Sequence, residues 1–262
     1  MSMKSDNFID ARAFTFAAFP HPLKPEDSGD SGGLEIATSK TDPNEQYIVK
    51  RGHEFPELAC NEFMYHKVAS ALGLYSQDVK LIGGSRDYRR SAAIRYVPNT
   101  RLFNLKEASA ENSRSFFAFE ALYVILNEDD SHEYYLDENG RMFKLDNASS
   151  FTVQQTTIMK FDGNPMGQYF IPDINVPLNA VGYEWYRLKH DGFAKEHGPD
   201  AVDAYVSTIK KFADLDFTLF GEAYEALEKH YPKALSHYYD MCIQIRKEVC
   251  CEFLDEIGAM LG

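Results

Sequence analysis

The densest run of chemically useful side chains is Asn127-Glu128-Asp129-Asp130-Ser131-His132-Glu133, and a further carboxylate, Asp146, follows in Lys144-Leu145-Asp146-Asn147. Clustered carboxylates at a loop and a strand end suit Mg²⁺, a hard cation that takes oxygen ligands and keeps several of its waters. One such carboxylate can also orient or deprotonate an attacking hydroxyl. The competing interpretation is a solvated acidic turn, which most acidic runs are.

Two further features bear on the same chemistry. Lys50 ends a strand-like run, and Glu62 lies twelve positions later on a helix. Leu58, Glu62, Tyr65, Ala69 and Leu72 follow spacings of 4, 3, 4 and 3, which puts Glu62 on the stripe that faces the core. A carboxylate there is costly unless paired, and a strand lysine held by a helix glutamate is how kinases position nucleotide phosphates. A helix-edge glutamate reaching water is the plainer alternative. Ser28-Gly29-Asp30-Ser31-Gly32-Gly33 precedes the strands. Glycine lets backbone N–H groups approach phosphate oxygens, though Gly and Ser also mark ordinary loops. The pattern is not that of a Walker A loop.

The elements that must position these groups are legible in part. Leu34–Thr38 and Tyr47–Lys50 are β-compatible, with Pro43-Asn44 as the turn between them. A helix is expected over Glu57–Leu72, opened by Pro56 and closed by Gly73. Val79–Gly83 and Ala92–Val97 are expected as strands, and Pro98-Asn99 ends the second. Phe116–Leu126 is expected as a buried helix. Tyr135–Leu136 and Met142–Leu145 form a hairpin in which Asn139-Gly140 favours a type I′ turn. From about Asp200 onward apolar residues recur at helical spacing. The expectation is therefore an α+β chain: a small antiparallel sheet with one helix over residues 1–98, then a mainly helical part over 99–262 that holds the loop and the hairpin.

Composition narrows the partners. With 27 Lys+Arg against 40 Asp+Glu, the 262-residue chain carries a formal net charge of −13, a poor match to nucleic acid or to a polybasic membrane anchor. The four cysteines are Cys60, Cys242, Cys250 and Cys251, with no C-x-x-C pair. They are expected as buried thiols in a reducing compartment. The first residues show no charged segment followed by an apolar one, and no apolar run is long enough to span a bilayer. A cytoplasmic protein with no membrane partner is the expectation.

Three stretches carry a family resemblance: YIVK at 47–50, ELACNEFMYHKVASALGL at 57–74 and LNEDDSHEYYLDENGRMFKLDNASSF at 126–151. The chain resembles the HipA-like kinases, a branch of the protein-kinase-like and lipid-kinase-like fold. The resemblance implies a bilobal kinase fold and an ATP- and Mg²⁺-dependent phosphotransferase, most simply a protein Ser/Thr kinase acting on a protein substrate. It implies that Lys50 contacts the α and β phosphates and Glu62 holds it, that Ser31, Gly32 and Gly33 form the phosphate loop, and that the Ile94–Val97 hinge meets adenine through the backbone of Arg95, Tyr96 and Val97. Asp146 would bind Mg²⁺. Asp129 aligns with the catalytic Asp, whereas Asp130 restores the Asp-x-His pattern. The family's Asn, five residues after the Asp, is Tyr134 or Tyr135 in this chain, and Glu133 offers a carboxylate in its place. That departure makes a pseudokinase or interaction module the second interpretation. A small-molecule or lipid kinase of the same fold is the third.

Overall fold

The computed structural model of the chain describes residues 7–19, 34–51, 56–88, 91–126, 128, 133–151, 158–159, 169–170 and 199–261. Its first part is a six-stranded sheet made of β1 (Phe8–Asp10), β2 (Phe14–Ala18), β3 (Glu35–Ser39), β4 (Gln46–Arg51), β5 (Val79–Gly83) and β6 (Ser91–Arg95), in the order β1-β5-β6-β4-β3-β2. The sheet is mixed rather than antiparallel, because β1 pairs with β5 in parallel. β1, at three residues, is too short to show a period, and neither it nor β2 was expected from the sequence.

Side chains alternate across the sheet, and the two faces have different cores. Tyr47, Val49, Ile82 and Ala93 face one way, with Phe14 and Ala37. Val79, Leu81, Ala92 and Ile94 face the other way, against α1 (Pro56–Ala71). In the β4–β6 register Ile48 opposes Ile94 and Lys50 opposes Ala92. The pleat therefore directs Lys50 to the face that α1 covers. Helix α1 stops where expected: Gly73 has φ +76° and donates its N–H to Ser70 O, while the Leu74 N–H reaches Ala69 O. This left-handed cap suits a residue without Cβ.

Helix α2 (Ala110–Ile125) starts six residues earlier than expected. Its opening turns are polar, so apolar periodicity misses them, but Ser109 caps them by accepting from the Asn112 N–H at 3.2 Å. A three-stranded sheet follows from β7 (Arg101–Leu102), β8 (Glu133–Leu136) and β9 (Met142–Leu145), with a short pair β10 (Ile158–Met159) and β11 (Tyr169–Phe170). The expected type I′ turn is not formed. Type I′ needs positive φ at both Asn139 and Gly140, yet only Gly140 has it, at +76°. The Gly140 N–H donates to Asp137 O, and the Asp137 N–H to Arg141 O, which is a longer loop closed by a left-handed glycine.

Among the described residues the remaining α-helices are α3 (Pro199–Ala213), α4 (Gly221–Glu228) and α5 (Lys233–Leu261). One buried apolar cluster runs from Phe63 and Leu81 through Phe117 and Leu122 to Tyr205, Phe212, Tyr239 and Ile243. Residues on either side of position 98 thus share a core. Cys60, Cys242 and Cys250 are buried as expected, but Cys251 is exposed. Among the described residues no helix is long and apolar enough to cross a membrane.

Candidate functional site around Lys50, Glu62 and Asp146

The Lys50 Nζ donates to Glu62 Oε1 and, at 2.6 Å, to Asp146 Oδ1. A strand, a helix and the end of a hairpin thereby converge on one ammonium. Glu62 is 1% exposed, as its place on the core stripe demands, whereas the Asp146 side chain is 44% exposed. Burial works against the Lys50 charge, but the charges of Glu62 and Asp146 outweigh it and raise the ammonium's pKa. Burial likewise pushes the Asp146 carboxyl up. The Lys50 charge and hydrogen bond, the charge of Lys144 and the Ala148 backbone overcome that push and leave it below its ordinary value. Asp146 is therefore an ionised carboxylate with an open side, which is what a divalent cation requires.

Asp146 has φ +54°, and Phe151, which closes the same segment, has φ +59°. A non-glycine residue in this region costs on the order of 1–3 kcal/mol and persists only where its surroundings enforce it. Two adjacent residues of α1 supply part of the enforcing contacts. Glu62 accepts the Asn147 N–H at 3.2 Å, and Asn61 Nδ2 donates to Ala148 O at 2.7 Å. Asn61 is itself fixed from α5, because the Tyr239 hydroxyl donates to its Oδ1 at 2.6 Å. The far end of the segment is held by the Phe151 N–H on Leu126 O at 2.6 Å and by the Tyr238 hydroxyl on Phe151 O at 2.7 Å.

Lys144 and Glu128 belong to the site and were not anticipated from the sequence. Their side chains are both 0% exposed, and Lys144 Nζ donates to Glu128 Oε1. The available signal was strand phase, since Lys144 lies two residues after buried Met142 on β9. Glu133 opens β8 and opposes Leu145, one residue short of Asp146. Tyr134 is buried with its hydroxyl donating to Glu120 Oε1 at 2.6 Å, and the Tyr135 ring lies 6.3 Å from that of Phe143. Among the described residues no three His, Cys, Asp or Glu side chains converge as a metal cluster. Asp129, Asp130, Ser31, Gly32 and Gly33 lie outside the described residues.

At the expected hinge, most backbone groups already have partners. The Arg95 N–H donates to Asp78 O at 2.7 Å and the Tyr96 N–H to Gln46 O at 2.9 Å, while Arg95 O accepts from Gln77 Nε2 at 2.9 Å. Among the described residues the Val97 N–H has no such partner. The Phe19 ring stands edge-on to Tyr96 at 6.0 Å.

No family model and no curated protein matches this chain. Among solved structures it is similar to the crystal structure of a Helicobacter pylori proinflammatory kinase, CtkA, at 11% identity and a TM-score of 0.41, covering 94% of this chain and 98% of that one. A likeness of that size assigns no role to any residue.

Proposed function

We propose that the chain is an ATP- and Mg²⁺-dependent phosphotransferase of the kinase type, with a protein hydroxyl as the acceptor. The observation that carries this reading is the Lys50 ammonium held between buried Glu62 and half-exposed Asp146. In phosphoryl transfer the protein supplies mainly position and charge. Lys50 would meet the α and β phosphates, and Glu62 would keep its ammonium from folding onto Asp146 alone. Asp146 would hold a Mg²⁺, which would supply positive charge to offset that of the phosphates. Asp129 or Asp130 would take the proton of the acceptor hydroxyl.

The test is calorimetric titration of ATP with and without Mg²⁺, on wild type and Asp146→Asn, with circular dichroism as the folding control. Wild type is expected to bind Mg–ATP, and the variant to lose the Mg²⁺-dependent part while staying folded. A variant that binds Mg–ATP as tightly as wild type removes Asp146 from the metal site. The second reading is a pseudokinase or interaction module. It is favoured by Tyr134 and Tyr135, which stand where the family has its Asn: the Tyr134 hydroxyl donates to Glu120 and the Tyr135 ring lies near that of Phe143. ATP binding without transfer to any protein hydroxyl would select it.

A further inference from the structure

Lys144 is a lysine that water does not reach, and its ammonium sits directly beneath the Asp146 turn. Besides Glu128 it donates to Leu145 O at 3.3 Å, Asp146 O at 3.3 Å and Asn147 Oδ1 at 3.2 Å. Every one of these acceptors belongs either to the turn that carries Asp146 or to Glu128. Glu128 in turn is the last described residue before Asp129 and Asp130, and its N–H is tied to Tyr123 O at the end of α2. A single buried cation therefore joins the strand end to the start of the acidic loop.

Stability alone is a poor account of this arrangement. Removing two charges from water costs several kcal/mol per ion, and apolar residues of similar volume often serve a core as well or better. What the ammonium does that an apolar side chain would not is gather two successive carbonyl oxygens at a residue whose backbone lies in the left-handed region, φ +54°. That conformation aims Asp146 at Lys50.

We infer that Lys144 is a positioning residue: its ammonium locks the Asp146 turn against Glu128 in one fixed relation, so that the Asp146 carboxylate stays aimed at Lys50 and at the cation it would hold. The inference rests on the phosphotransferase reading for its purpose, but not for its geometry. Lys144 touches no substrate and acts only through Glu128 and the turn that carries Asp146.

The experiment compares wild type with the apolar pair Lys144→Met/Glu128→Leu. Thermal unfolding, calorimetric Mg–ATP binding and the hydrogen-exchange rate of the Asn147 amide, which reports the turn through its bond to Glu62, are measured on both. A merely structural ion pair is replaceable by an apolar one, so the double variant would then match wild type in all three. Positioning predicts a melting temperature within about 4 °C of wild type, Mg–ATP affinity weaker by about tenfold or more, as for other outer-shell partners of a metal ligand, and Asn147 exchange faster by about the same factor. Wild-type affinity together with wild-type exchange overturns the inference.

If wild type binds no ATP with or without Mg²⁺, the phosphotransferase reading falls by itself. Asn147 exchange then decides the role of Lys144 alone: faster in the double variant supports it, and unchanged overturns it. Should the apolar pair fail to fold, Glu128→Gln keeps Lys144 on the two carbonyls. Asn147 exchange at the wild-type rate is then expected, and a tenfold rise overturns the inference.

Discussion

Glu62 holds two groups at once, the Lys50 ammonium and the Asn147 N–H. Truncating it to Ala leaves Lys50, among the described residues, with Asp146 as its one charged partner, so the lysine would compete with a cation for the carboxylate. Glu62→Ala is therefore expected to lower turnover by about 10- to 100-fold, the range typical of lost outer-shell support. Circular dichroism should remain that of a folded protein. Turnover equal to wild type in an active preparation would remove Glu62 from the site. The pairing of Glu62 with Lys50 was readable because a carboxylate in phase with Leu58 and Tyr65 demands a buried cation. Lys144 was not readable in the same way. The hairpin sequence offers many charged residues, and strand phase becomes informative only once β9 is known to be covered on both faces.

The hairpin shows what local sequence settles and what it leaves open. Asn139-Gly140 marked the reversal correctly but not its geometry, because the buried Asp137 carboxylate reshapes the loop. Its Oδ1 accepts the Asn139 and Arg141 N–H groups, each at 2.9 Å, and its Oδ2 accepts Arg141 Nε at 2.9 Å. Asp137→Ala leaves those donors unmet and is expected to cost about 2–3 kcal/mol, read as a lower denaturation midpoint. Gly140→Ala is expected to cost only about 1 kcal/mol: an added Cβ meets nothing within 4 Å, so the penalty is the positive φ alone. A larger loss for Gly140→Ala than for Asp137→Ala would contradict this account. Helix α1 was legible from Pro56 and Gly73, which act through local backbone chemistry. Strands β1 and β2 were not, because a short strand such as Phe8–Asp10 is defined by the partner it finds at Leu81–Gly83, far along the chain.

At the scale of the whole molecule, acidification should loosen the fold through His66. Burial, with the nearby charge of Lys67, pushes its pKa down to about 4 from 6.5, although Asp78 acts the other way. The neutral ring bonds Ser76 Oγ at 2.9 Å. The folded state thus resists a proton that the unfolded chain accepts. The stability contributed by His66 is complete above pH 6.5 and is lost as pH falls from there to about 4, on the order of 3 kcal/mol. His66→Gln is expected to flatten this part of the stability profile, and an equally steep profile in the variant would assign the acid sensitivity elsewhere. The bond from Tyr239 to Asn61 has a consequence of another kind, because its partners are 178 residues apart. At a synthesis rate of roughly 5–20 residues per second, Asn61 is synthesised about 9–36 seconds before Tyr239. Through that interval the sheet and α1 can form, yet the Ala148 peptide lacks the oriented amide that fixes it beside Lys50. The cluster around Lys50 is therefore assembled late during translation, and a nascent chain arrested before Tyr239 should hold its first strands in place without a finished Asp146 turn.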